Sequence, residues 1–153
     1  MEYQTEPPRS PDVMADGRLV YAVSAIMRKV SDRALASWGL SVEQAPVLVI
    51  LREAGRPLMI TELARRLLVE TPSVTAMADR LTERGLVERV KDPKDRRKTL
   101  VALTRKGKRL VETIREPGRQ LEEEMFESLE PAERATLKTI LQKFHDANMG
   151  RIG

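Results

Sequence analysis

The residues best suited to chemistry in this sequence are cations, and they are concentrated. Between Arg80 and Arg109 there are twelve Lys or Arg against four Asp or Glu (Glu83, Glu88, Asp92 and Asp95). Between Glu116 and Arg134 the balance inverts, with seven Glu against two Arg. One part of the chain is thereby suited to face an anion and another to face away from it. Within the basic stretch, Lys91, Lys94, Arg96, Arg97 and Lys98 surround Asp92, Pro93 and Asp95. An acid inside a basic loop would repel phosphate, so Asp95 is expected to orient Arg97 through a bidentate pair. Arg97 on a projecting tip could then enter a DNA minor groove, where the negative potential attracts arginine.

A second candidate set lies upstream. Thr71, Pro72, Ser73, Thr75, Ala76 and Arg80 fall within one helical pattern that opens at Thr71-Pro72. Small polar groups at a helix start let the backbone approach base edges, and free N–H groups there favour phosphate. Arg84, one turn beyond Arg80, is expected on the DNA backbone together with Lys91, Lys94, Arg96 and Lys98.

Other chemistries find little support. There is no Cys, so disulfides and thiolate metal sites are excluded, and no metal or cofactor is expected. His145 is the only histidine. No dinucleotide-binding glycine motif, phosphate loop or zinc-peptidase motif occurs, so an enzyme is not expected. Glu122, Glu123 and Glu124 are consecutive and would point in different directions on a helix, which suits solvation better than acid–base work. Five aromatic residues are too few for a single-strand binder built on base stacking. Met1 to Pro11 lacks the apolar core of a secretory signal, and no apolar run approaches the roughly 20 residues of a membrane span, so a cytoplasmic location is expected.

The elements that must position these residues follow from periodicity. Residues 1–11 read as a flexible arm. Leu19, Val23, Ile26, Met27 and Val30 give one face of a helix from Gly17 to Ala36. Ser41 and Gln44 match a capping box for a second helix that ends near Gly55 and carries Pro46 in its first turns. A third helix is expected over 60–68. A fourth, with Thr71 as N-cap and Pro72 at its first position, runs to Gly85. These two helices and their short connection have the layout of a helix-turn-helix. Leu86–Val90 and Thr99–Leu103 read as a two-stranded hairpin with the charged segment at its tip. Thr104 is expected to cap a long helix interrupted at Pro117-Gly118, and a last helix starts near Pro131.

At this point the sequence resembles the MarR family of bacterial and archaeal regulators. The resemblance rests on Asp79-Arg80-Leu81-Thr82-Glu83-Arg84-Gly85-Leu86-Val87-Glu88-Arg89, on Asp92-Pro93-Lys94-Asp95-Arg96-Arg97, on Leu103-Thr104-Arg105-Lys106-Gly107 and on Ile60-Thr61-Glu62-Leu63-Ala64. It implies a mainly α fold with a small β-hairpin wing. The winged helix-turn-helix would occupy residues 41–103, and residues 12–40 and 104–153 would form a helical dimerisation region. It further implies a homodimeric repressor on a near-palindromic double-stranded DNA operator, with Arg97 as the wing-tip residue. Many members are released by a small aromatic or anionic effector, for which Tyr21, Met27, Trp38, Val47, Leu51 and Ile114 are the candidate pocket. Ala76 stands where the family commonly has a major-groove arginine, and Met59 where it usually has a capping Thr or Ser. The rival readings are a winged helix that binds only protein and an activator without ligand response.

Overall fold

Helix boundaries in this chain are set by side chains that can be named. The computed structural model describes residues 13–152; the expected N-terminal arm lies outside them. The first helix, α1, spans Val13–Ala36. It is followed by the Ser41/Gln44 pair, in which the Ser41 N–H donates to Gln44 Oε1 at 3.2 Å and the Gln44 N–H donates to Ser41 Oγ at 3.3 Å. The reciprocal cap is therefore formed, and α2 (Gln44–Ala54) starts inside it. Pro46 is the third residue of α2, where its N–H would have no intrahelical partner, so it costs the helix little. Gly55, with φ of 62°, closes α2 in the left-handed region.

Strand β1 (Leu58–Met59), helix α3 (Ile60–Leu67) and helix α4 (Thr71–Glu83) come next. Residue Glu70, not Thr71, occupies the N-cap position of α4, and Thr71 and Pro72 are its first helical residues. The Thr71 carbonyl instead accepts the Thr75 hydroxyl at 3.0 Å. Strands β2 (Val87–Lys91) and β3 (Thr99–Leu103) form the expected antiparallel hairpin, in register from Val87 opposite Leu103 to Lys91 opposite Thr99. The sheet nevertheless has three strands, in the order β1-β3-β2, with Leu58 opposite Val101. The expectation of two strands is corrected here, because a two-residue strand is too short for its alternation to be seen in sequence.

The core of this part is apolar and complete. Leu48, Leu58, Leu63, Leu81 and Leu86 are fully buried, together with Val47, Val74, Val87 and Val101. They come from α2, α3, α4, the sheet and the turn that leads into β2, which is why that set of elements can hold a surface helix and a projecting hairpin steady.

The chain divides into two units, one ending at Lys108 and one beginning at Arg109. Helix α5 (Arg105–Met125) starts in the first and continues in the second. The Thr104 hydroxyl caps it, accepting from the Gly107 N–H at 3.0 Å, as expected. The expected interruption at Pro117-Gly118 does not occur, and α5 runs unbroken through Pro117. Pro117 removes one N–H donor. Arg119 pairs with Glu116 at 2.5 Å on one side and with Glu123 on the other, and these ion pairs flank the turn that Pro117 weakens. These contacts hold the Glu116 carboxyl below its usual range, chiefly through the Arg119 hydrogen bond. After α5, the Arg134 guanidinium of α6 (Pro131–Asn148) donates to the carbonyls of Phe126 at 2.9 Å and Glu123 at 3.1 Å, satisfying two acceptors near the end of α5.

Two helices leave apolar faces open. In α1, Leu19, Val20, Tyr21, Val23 and Ile26 are exposed, and in α6, Ile140, Leu141 and Phe144 are exposed. Among the described residues no helix is long and apolar enough to cross a membrane.

Candidate nucleic-acid interface

Helix α4 buries Val74, Ala78 and Leu81 and turns its other face outward. Thr71, Pro72, Ser73, Ala76 and Arg80 are exposed there, with Thr75 half-buried beside them. The first turn carries no acidic residue, and the Glu70 side chain at the N-cap makes no capping hydrogen bond. Thr75 spends its hydroxyl proton on the Thr71 carbonyl, which leaves that oxygen an acceptor for an incoming donor. Asp79, on the flank of α4, accepts from Arg89 of β2 at 2.7 Å and ties the helix to the hairpin. Both side chains are largely solvated, so the pair contributes orientation more than stability. Its two members stand in the family-like run, but only the fold reveals that they meet.

The hairpin tip is shaped by its two acids. The Lys94 N–H donates to Asp92 Oδ1 at 2.8 Å, and the Arg97 N–H donates to Asp95 Oδ1 at 3.1 Å. These are the side-chain-to-backbone contacts that let aspartate stand in for a backbone turn. The loop is closed by backbone bonds from Asp92 N–H to the Lys98 carbonyl and from Lys98 N–H to the Asp95 carbonyl. Arg97 Nε also reaches Asp95 Oδ1, at 3.3 Å, while Asp95 Oδ2 lies 4.0 Å from Lys98 Nζ. The expected bidentate fork is therefore corrected: Asp95 holds Arg97 mainly by its backbone and by one ring-like contact at Nε. The Arg97 side chain remains 92% exposed. Lys91, Lys94, Arg96 and Lys98 are exposed around it, and Lys91 Nζ donates to Thr99 Oγ1 at 3.3 Å across the strands.

Arg84 makes contacts within the fold that its sequence position did not suggest. Its guanidinium donates to the carbonyl of Trp38, at 2.9 Å, and to that of Gly39. These bonds direct the side chain toward the end of α1. Sequence reasoning missed this because the partners are 45 and 46 residues away and are backbone oxygens, which leave no trace in residue type.

The candidate pocket residues fall in both units: Tyr21, Met27, Trp38, Val47 and Leu51 in the first and Ile114 in the second. Val47 and Leu51 are packed in the core around α2, Tyr21 is 80% exposed, Met27 and Trp38 are half-buried, and Ile114 is buried in the second unit. A crevice of about 450 Å³ lies within the second unit, lined in part by Phe126, Leu137, Leu141, Lys138, Gln142 and His145.

The upstream α3 presents a further charge network. Glu62 accepts from Arg56 at 2.9 Å and from Arg66 at 2.8 Å. The Arg56 hydrogen bond holds its carboxyl below the usual range.

Comparison with known proteins places this arrangement. The family model described as the MarR family matches residues 40–99. The multiple antibiotic resistance protein MarR of Salmonella typhimurium is 33% identical over 133 residues, covering 86% of this chain and 92% of that protein. The crystal structure of a mutant MarR from E. coli complexed with operator DNA superposes with a TM-score of 0.80 at 30% identity, covering 87% of this chain and 95% of the other. A structure of Bordetella bronchiseptica BpsR, described by its regulation of DNA binding by 6-hydroxynicotinic acid, superposes with a TM-score of 0.79 at 29% identity, covering 85% and 92% of the two chains.

Proposed function

The chain belongs to the MarR family of winged helix-turn-helix, DNA-binding transcriptional regulators, and from that premise we propose that it acts as a homodimeric repressor on a near-palindromic operator. The observation that carries this reading is the pairing of two kinds of surface. One part of the chain presents a polar helix face and a cationic hairpin tip over a complete core. Helices α1 and α6 expose apolar stripes that a second copy would cover.

In this reading α4 lies in the major groove. Thr71, Ser73 and Thr75 offer hydrogen-bonding groups to base edges, and Ala76 offers apolar contact to a thymine methyl. Arg80 reaches the flanking strand. Lys91, Lys94, Arg96 and Lys98 neutralise phosphates beside the wing, and Arg97 enters the adjacent minor groove. The operator is therefore A·T-leaning within and beside each half-site. A small aromatic or anionic effector releases the DNA; the BpsR description supports that class for a protein of this fold.

Selection of bound duplexes from a random pool tests the reading. The expected product is an inverted repeat whose half-site centres lie about 34–36 Å apart, roughly one helical turn. Enriched sequences without two-fold symmetry would overturn it.

A further inference from the structure

Two helices of the first unit end in the same way, and their ends are joined. Helix α1 closes with the Gly39 N–H donating to the Ala36 carbonyl at 2.9 Å and the Leu40 N–H donating to the Leu35 carbonyl at 3.2 Å. Helix α4 closes with the Gly85 N–H donating to the Thr82 carbonyl at 2.8 Å and the Leu86 N–H donating to the Leu81 carbonyl at 2.9 Å. Both are the paired closure in which a left-handed glycine follows the cap residue, with Gly39 at φ of 65° and Gly85 at φ of 66°. In α1 the cap residue is Trp38, and in α4 it is Arg84.

This closure leaves the carbonyls of the cap residue and the glycine without an intrahelical donor. In α1 those are the carbonyls of Trp38 and Gly39, and the Arg84 guanidinium takes both. Arg84's own carbonyl is taken by Lys106 Nζ at 2.8 Å, and the Gly85 carbonyl by the Thr104 hydroxyl at 2.7 Å. Two helix C-termini, each the negative end of a dipole, thus meet around two cations. The fit is close at Gly39, where an added Cβ would stand 3.0 Å from the Arg84 guanidinium.

We propose that Arg84 is a positioning residue that locks the end of the recognition helix α4 to the end of α1, and so sets the separation at which a dimer presents its two recognition helices. The proposal rests on the dimeric reading above, with α1 contributing to the dimer. A planar guanidinium can bridge two adjacent carbonyls at a fixed angle, whereas an ammonium is a single point of charge. The lock therefore acts on the angle of α4, and Arg84 need not touch DNA.

The test uses the full chain, the Arg84→Met and Arg84→Lys variants, and operator duplexes with up to two base pairs added or removed at the centre. Binding is measured across a range of salt. The wild type is expected to show a sharp optimum in spacing. Arg84→Met is expected to weaken the best duplex roughly 3- to 30-fold and to flatten the spacing preference, with the salt slope unchanged. Arg84→Lys is expected to blur the spacing in the same way despite keeping its charge. If Arg84 is instead a phosphate contact, Arg84→Met loses about 0.9 of salt slope per subunit with the spacing optimum intact, and Arg84→Lys behaves as wild type. Either result overturns the lock.

Trp38 provides a readout that needs no DNA, since it is the only tryptophan and its own carbonyl is one of the two acceptors. Acrylamide quenching of its fluorescence should rise in both variants, in samples that thermal melting shows to be folded. Unchanged quenching in Arg84→Lys overturns the lock even if Arg84→Met fails to fold. A wild type with no spacing optimum but a variant-sensitive Trp38 would mean that the dimeric operator reading has failed and the part of the proposal about DNA with it, while the bond between the helix ends stands.

Discussion

The elements from α2 to β3 and the helices α1 and α6 solve opposite problems. The former bury a set of leucines and valines completely and leave polar residues on α4 and the wing outside. In α6 no residue is buried, and its Ile140, Leu141 and Phe144 are open, as are five large apolar residues of α1. The difference teaches where folding ends and assembly begins. A surface that completes its own core needs no partner, whereas a helix with an open stripe is stable only when something covers that stripe.

The largest effect expected from that contrast lies in the complete core. Leu63→Ala should destabilise the chain by about 2–5 kcal/mol, from lost transfer energy plus a cavity. The loss should be the same at every protein concentration until the unfolded fraction limits assembly, and denaturant melts at two concentrations would show it. A loss that vanished at high concentration would place Leu63 in an interface instead and break the comparison.

Next in size is the open stripe. Ile26→Asp should leave the secondary structure content of α2–β3 intact but raise the dimer dissociation constant about a hundredfold or more, roughly 2.7 kcal/mol, because a carboxylate would be buried against the partner's apolar face. Sedimentation should move toward the 17.3 kDa chain mass. A variant that stayed fully dimeric at low micromolar concentration would move the interface off α1.

The wing sharpens the same contrast from its polar side. Arg97→Ala should weaken operator binding by about 1–3 kcal/mol per subunit and make the salt dependence shallower. Asp95→Ala should also weaken binding, although it removes a negative charge, because the Arg97 N–H and Nε lose the oxygen that fixes them. Tighter binding by Asp95→Ala in a filter or gel assay would show that charge outweighs loop shape at the tip.

How much of this was legible in the sequence depended on the range of the interaction. Short-range devices could be read. Ser41 with Gln44, Thr104 with Gly107, and the acids of the wing all act within three residues, so their spacing carries the information. The periodic stripes of α1, α4 and α6 were equally visible. Long-range backbone contacts were not. The Arg84 bond to Trp38 and Gly39 spans the whole helix-turn-helix, and its acceptors are oxygens that every residue owns. For the same reason Leu58 gave no sign that it pairs with Val101. Pro117 misled in the other direction: a local rule predicts a break, but α5 continues through it with helical residues on both sides.

The smallest expected effect is also the one that runs against the tidy picture of the complete core. Among the described residues Leu68 is the only non-glycine with positive φ, at 56°, and it stands at the end of α3, where the chain turns toward α4. The ends of α1, α2 and α4 use Gly39, Gly55 and Gly85 for the same backbone shape. A leucine there crowds its Cβ against its own backbone, a strain of about 1–2 kcal/mol. Glycine would relieve it, at the cost of greater freedom in the unfolded chain and of whatever packing a half-exposed side chain supplies. Leu68→Gly should therefore stabilise the chain by about 0.5–1 kcal/mol, or a few degrees in Tm for a chain of this size. Leu68→Ala keeps the strain and loses the packing, so it should be neutral or slightly destabilising. The two variants together separate backbone from side chain. If both lower Tm equally, the Leu68 side chain is part of the packing after all, and the core extends into the turn that precedes the recognition helix.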